Sequence, residues 1–104
     1  MHRIAFIMKL HKGFEAEYQK RHEAIWPELK ELLKGSGIRE YSIFLDESTG
    51  NLFGYLQIND PAIMDVLPQQ PVMQRWWHFM KDIMDVNADE SPVSIPLKEV
   101  FYLS

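Results

Sequence analysis

Apolar and polar residues alternate in several short segments, and this pattern predicts β-strands. Residues 3–10 place Ile, Phe, Met and Leu on one side of an extended backbone. Residues 38–45 and 52–58 flank the turn-forming sequence DESTGN and predict a hairpin. A last apolar segment, residues 97–103, predicts a fourth strand near the C-terminus.

The first helix is predicted by a stripe of apolar residues at helical spacing within residues 14–33. Tyr18, His22 and Trp26 lie four residues apart in this stripe, so they stack along one face. Pro27 lacks a backbone donor and clashes with the preceding turn. We therefore expect a kink or a new helix start near Trp26.

A second helix is predicted over residues 72–85, with Trp76 in the middle of its apolar stripe and Trp77 at the margin. The segment before it, residues 59–71, contains three prolines and is too interrupted for a long helix. A short helix at residues 62–67 fits this segment.

The predicted order is strand, helix, strand, strand, helix, strand. This order is typical of a ferredoxin-like α+β fold, βαββαβ, in which helices cover one face of an antiparallel sheet. No internal boundary or repeat is visible, so residues 1–104 are expected to form a single domain.

Both faces of the predicted sheet carry apolar residues. Strict alternation places Tyr41 and Ile43 on one face of their strand, and Ile38 and Phe44 on the other. Since the helices cover only one face, the other needs a partner. A chain of 104 residues buries a modest share of its surface, and a homodimer would cover the second face.

Composition excludes several classes of function. The formal net charge is −4 and the basic residues are scattered, which argues against a nucleic-acid partner. There is no cysteine, no paired-histidine metal spacing and no phosphate-binding loop, so we expect no metal site and no nucleotide site. No apolar run suits a membrane span or a signal peptide, and a cytoplasmic location is expected.

The candidate chemistry centres on His22, the one histidine within an apolar stripe. A core imidazole satisfied by a backbone carbonyl would explain it without any function. Tyr18 and Trp26 lie one turn away on either side, and Tyr41 and Tyr55 offer hydroxyls from the sheet. Aromatic rings around a group that titrates near neutral pH are typical of a small-molecule site, and Trp26 is a candidate wall of it.

The sequence blocks YQKRHEAIWPEL, YSIFLD, QRWW, SPVS and EVFYL resemble the L-rhamnose mutarotase family, in order and over nearly the whole chain. The resemblance implies a cofactor-free enzyme with a dimeric α+β barrel type of fold that interconverts the anomers of L-rhamnose. It implies that His22 is the proton donor and that four aromatic residues contact the sugar, namely Tyr18, Tyr41, Trp76 and Trp77.

An imidazole suits this reaction because its ordinary pKa of about 6.5 lets it give and take protons near neutral pH. Two alternatives stay open at this point. One is a cofactor-free monooxygenase on the same type of fold, and the other is a non-catalytic sugar-binding module.

Overall fold

The computed structural model describes all of residues 1–104, which form four strands and four α-helices. In chain order they are β1 (His2–Lys9), α1 (Glu15–Glu23), α2 (Pro27–Gly35), β2 (Ile38–Asp46), β3 (Asn51–Ile58), α3 (Ile63–Val66), α4 (Pro71–Met80) and β4 (Ile95–Leu97). A 3₁₀ turn, Leu67–Gln69, separates α3 from α4. None of the helices has the length and apolar character that crossing a bilayer requires.

The first helical stripe is divided at Pro27, as predicted. Helix α1 ends at Glu23, and Trp26 adopts an extended backbone with φ −61° and ψ 132°. A residue before proline disfavours the helical conformation, while proline itself fits the first position of a helix, where no donor is needed. The two helices therefore form separate segments, and the expected restart is confirmed.

The four strands form one antiparallel sheet in the order β2-β3-β1-β4. One face, called the inner face, packs against the helices: Met8 and Leu52 share a buried cluster with Leu29 of α2 and Met80 of α4. The opposite, outer face has no helix over it and exposes Phe44. Helices on one face of an antiparallel sheet confirm the predicted ferredoxin-like α+β class.

A β-bulge interrupts the pairing of β2 with β3. Arg39 pairs with Gln57 and Ser42 with Tyr55, so two residues of β2 lie opposite one residue of β3. One of the two, Glu40, has a positive φ of 52°, which is uncommon outside glycine. The extra residue reverses the alternation of side chains along the strand.

Ile38 and Phe44 lie on opposite faces of the sheet because of this bulge. The expectation that they share one face is therefore wrong. Ile38 pairs with Ile58 and is buried on the inner face, whereas Phe44 pairs with Phe53 and is 66% exposed on the outer face. Strict alternation is wrong here because an inserted residue shifts every later side chain to the opposite face.

The second predicted helix is shorter than expected, since α4 ends at Met80 instead of continuing to residue 85. The backbone N–H of His11 donates to the carbonyl of Ile83 at 2.8 Å. The two residues after Ile83 pair with Lys9 and Leu10, at the end of the first strand. Ile83 stays buried, but its carbonyl accepts from a distant segment instead of from a following turn of helix.

The predicted strand over residues 97–103 is wrong. Strand β4 covers only Ile95–Leu97, which pairs with the middle of β1. Pro96 within it has no N–H to donate, which limits it to an edge position. The following tail lacks regular structure, and its residues Val100, Phe101 and Leu103 are 87%, 78% and 80% exposed.

Gly54 is expected to tolerate no side chain, because Phe6 of the neighbouring strand lies across it. A Cβ at Gly54 would lie 2.4 Å from Cε2 of Phe6. We expect Gly54→Ala to lower the free energy of unfolding by about 1–3 kcal/mol, the usual cost of overpacking. Urea denaturation measures this value. Gly35→Ala is the control, since a Cβ there meets nothing within 4 Å, and an equal loss in both variants would contradict the explanation.

Candidate active site

A cleft of about 1190 Å³ lies between the inner face of the sheet and helices α1, α2 and α4. Five residues proposed from the sequence line it, namely Tyr18 and His22 of α1, Tyr41 of β2, and Trp76 and Trp77 of α4. The fold thus brings together side chains from three separate elements. The volume slightly exceeds the roughly 300–1,000 Å³ common for small-molecule sites.

The imidazole of His22 is oriented by the backbone of its own helix. Nδ1 lies 3.0 Å from the carbonyl oxygen of Tyr18, one turn earlier. A carbonyl oxygen only accepts, so Nδ1 carries the proton and donates it. In the neutral ring Nε2 then holds a lone pair, and no protein group is hydrogen-bonded to it. His22 is therefore prepared to accept a proton at Nε2.

The environment of His22 favours this neutral form. Partial burial in the cleft lowers the pKa of His22 below its ordinary value, and the hydrogen bond to the Tyr18 carbonyl opposes that shift to a smaller extent. The Tyr18 ring stacks on the imidazole with centroids 4.3 Å apart and planes 28° apart. At neutral pH the site thus contains an uncharged imidazole between aromatic surfaces.

Trp76 closes the other side of His22. Its indole meets the imidazole edge to face, with centroids 5.4 Å apart, and it is 7% exposed. Trp26 packs edge to face on Trp76 at 5.1 Å, and Phe79 also contacts both indoles. The expectation that Trp26 forms a wall is therefore corrected: it does not line the cleft but supports Trp76 from outside. Trp77 is half-buried and lines the cleft directly.

The bulge in β2 directs Tyr41 to the inner face, where its ring meets Phe6 edge to face at 6.4 Å. Burial raises the pKa of the Tyr41 phenol to about 12, even though 40% of the residue as a whole is exposed. Tyr55 does not join it, contrary to expectation. Tyr55 lies on the outer face with Ser42, and its hydroxyl accepts a hydrogen bond from Gln57.

Tyr18 is also protonated in this environment. Burial raises its pKa far above the ordinary value for a phenol, and the nearby Tyr41 adds to the shift. Two protonated phenols supply hydrogen-bond donors but no base near neutral pH. Among the five proposed residues, only His22 can exchange a proton with a substrate at that pH.

Part of the cleft lining was not predicted from the sequence. Met8, Met73, Met80 and Met84 line the cleft, although their apolar patterns indicated only core packing. For Met73, Met80 and Met84 the available signal was their place in the same helical stripe as Trp76, and for Met8 it was the apolar alternation of the first strand. Gln19 also lines the cleft, and no pattern distinguished it from other exposed helix residues. No group of three or more His, Asp or Glu side chains is arranged to hold a metal ion.

Comparison with known proteins gives consistent matches over the whole chain. The family model described as L-rhamnose mutarotase matches residues 3–103. The chain is 55% identical to the L-rhamnose mutarotase of Sinorhizobium fredii over 104 residues, covering 100% of both, and 58% identical to that of Leptothrix cholodnii over 101 residues, covering 97% and 95%. The crystal structure of the L-rhamnose mutarotase from Formosa agariphila superposes with a TM-score of 0.93 at 50% identity, covering 100% of both chains.

The imidazole of His22 should titrate below about 6.5, because burial disfavours its charged form. NMR titration of the ring protons measures the midpoint, and the resonance that disappears in His22→Asn identifies the residue. The unfolded chain binds this proton more tightly, so the free energy of unfolding should fall as the pH drops below the pKa that His22 has in the unfolded chain. This fall should be smaller in His22→Asn. A midpoint at or above the ordinary value would contradict the partly buried, neutral ring described above.

Proposed function

The chain belongs to the L-rhamnose mutarotase family and is an isomerase that interconverts sugar anomers, and we propose that His22 carries out the proton transfers on L-rhamnose. One observation carries this proposal: Nε2 of His22 is unpartnered in a cleft, while Nδ1 is fixed by the Tyr18 carbonyl. The matches favour neither of the two alternatives, a monooxygenase or a non-catalytic sugar-binding module.

Anomer exchange requires two proton movements on neighbouring oxygens. The hydroxyl on the anomeric carbon loses its proton, and the bond from that carbon to the ring oxygen breaks as the aldehyde forms. The ring oxygen takes up a proton. Rotation about the adjacent carbon–carbon bond and ring closure on the other face of the aldehyde then complete the exchange.

We assign both transfers to Nε2 of His22. The free enzyme presents Nε2 as an acceptor, so it first takes the proton of the anomeric hydroxyl and then, as imidazolium, donates to the ring oxygen. Both oxygens are bonded to the same carbon, so one imidazole edge can serve each in turn. The raised pKa values of Tyr18 and Tyr41 support this single-residue assignment, because neither phenol is a base near neutral pH.

The aromatic residues would bind the sugar by its two kinds of surface. A pyranose has an apolar C–H face, and a 6-deoxy sugar adds a methyl group, both of which pack well on indole rings. Trp76 and Trp77 supply such rings in the cleft. The protonated hydroxyls of Tyr18 and Tyr41 would donate hydrogen bonds to sugar oxygens and so orient the anomeric carbon toward His22.

A second copy of the chain would cover the outer face. In the sheet register, one apolar residue from each strand forms a continuous row, Phe44, Phe53, Ile7 and Ile95. Phe44 is 66% and Ile95 59% exposed, and the apolar tail beyond β4 is exposed as well. A two-fold axis over this face would pack the row against its own copy, which is the usual geometry of a homodimer. We also propose a cytoplasmic location, which the absence of cysteine supports.

His22→Asn tests the catalytic assignment. Asparagine keeps a donor near the position of Nδ1 but has no group at Nε2. We expect the exchange rate of L-rhamnose anomers, followed by NMR saturation transfer, to fall by about 100- to 10,000-fold. Tyr18→Phe is the comparison, and it should lose less because its phenol is no base. A correctly folded His22→Asn enzyme that exchanges anomers at the parent rate would refute the role of His22.

Phe44→Glu tests the dimer. A carboxylate in the middle of the apolar row cannot be buried against its own copy without a large desolvation cost, so the variant should sediment as a monomer. Val66→Glu is the matched control, because Val66 is also about half exposed, at 47%, but lies in α3, which packs against the inner face of the sheet. If the parent protein itself sediments as a monomer, the outer face has another role.

A further inference from the structure

Arg21 lies next to His22 in α1 but points away from the cleft, and its side chain is only 11% exposed. Its Nε donates to Oε2 of Glu17 at 2.7 Å. Its two terminal nitrogens donate to the two carboxylate oxygens of Asp82 at 2.9 and 3.2 Å. Nη1 also donates to the backbone carbonyl of Phe79 at 2.8 Å. One guanidinium thus joins α1 to the C-terminal end of α4.

The other attachments of α1 are few. The helix has nine residues and no side-chain cap, and Tyr18 is its one buried residue. No α-carbon of α1 lies within 8 Å of an α-carbon of another helix or strand. A helix this short is unstable alone in water. Its position therefore depends on a few long side chains that reach across to the rest of the fold.

We propose that Arg21 is a positioning residue, which sets the distance between the imidazole of His22 on α1 and the indole of Trp76 on α4. The mechanical path is short. The guanidinium carbon lies 4.4 Å from the centroid of the Phe79 ring, and the Phe79 ring lies 5.7 Å from that of Trp76. Trp76 in turn meets His22 at 5.4 Å. These contacts form a closed loop that joins the two helices.

The chemistry of arginine suits this position. The carbonyl of Phe79 belongs to the last turn of α4, where carbonyl groups have no partner within the helix. A cation there is favoured by the partial negative charge of the helix end. The planar guanidinium can satisfy this carbonyl, bind the Asp82 carboxylate with two parallel hydrogen bonds and lie over a ring at the same time. The ammonium group of lysine cannot make all of these contacts.

The positioning role of Arg21 rests on the proposed catalytic role of His22. The experiment is designed so that each role can fail without the other. Arg21→Gln removes the charge and the bidentate pairing, and Asp82→Asn removes one partner while leaving arginine in place. We expect kcat for anomer exchange to fall about tenfold or more in Arg21→Gln, with KM changed less than about threefold. Asp82→Asn should show a smaller loss in the same direction. The NMR titration midpoint of His22 should rise toward about 6.5 in Arg21→Gln, because a displaced α1 exposes the ring to water.

Arg75→Gln is the matched control. It breaks the ion pair between Arg75 of α4 and Glu28 of α2, whose side chains are 56% and 64% exposed, and it should leave kcat and the His22 midpoint unchanged. An Arg21→Gln protein with the parent kcat and midpoint overturns the proposal. So does a loss of activity that only follows the folded fraction in a melting curve. If Arg21→Gln does not fold, the same two readouts in Asp82→Asn decide.

The two proposals can fail separately. If His22→Asn stays active, the catalytic assignment is wrong, and the His22 midpoint in Arg21→Gln still reports whether Arg21 holds α1 in place. If His22→Asn is inactive while Arg21→Gln matches the parent in both readouts, only the positioning role is wrong.

Discussion

The hydrogen bond from Nδ1 of His22 to the Tyr18 carbonyl is the contact on which the proposed chemistry of the site depends. It is made within one turn of α1, so its geometry follows from the helix itself. It fixes which nitrogen carries the proton and leaves Nε2 without a protein partner in the cleft. A ring with the opposite tautomer would present a donor in the cleft and could not begin by accepting a proton.

A bond within a single helix orients a side chain but does not place the helix. The position of α1 depends on contacts that cross to other elements, namely the edge-to-face packing of His22 on Trp76 and the polar links of Arg21. Aromatic contacts of this kind add about 0.5–1.5 kcal/mol beyond burial, which is modest for holding a helix. The site thus combines precise local orientation with a placement that a small number of side chains determine.

The sequence predicted what depends on local periodicity and missed what depends on pairing between distant segments. Helical spacing placed Tyr18 and His22 on one face, and Pro27 marked the division of the helix. The early end of α4 could not be read from its apolar stripe, because it is set by backbone hydrogen bonds to the segment after β1. The tautomer of His22 and the place of Trp26 behind Trp76 likewise depend on three-dimensional neighbours.

The bulge in β2 links the two faces of the sheet. Tyr41 on the inner face and Phe44 on the outer face lie three residues apart, on an edge strand that pairs only with β3. Glu40 in the bulge holds a positive φ, a backbone conformation that costs energy and persists only where surrounding contacts fix it. Covering Phe44 with a second chain would restrain this edge and, through the bulge, the direction of the Tyr41 hydroxyl. The proposed dimer and the proposed role of Tyr41 in orienting the substrate would therefore depend on the same short stretch of backbone.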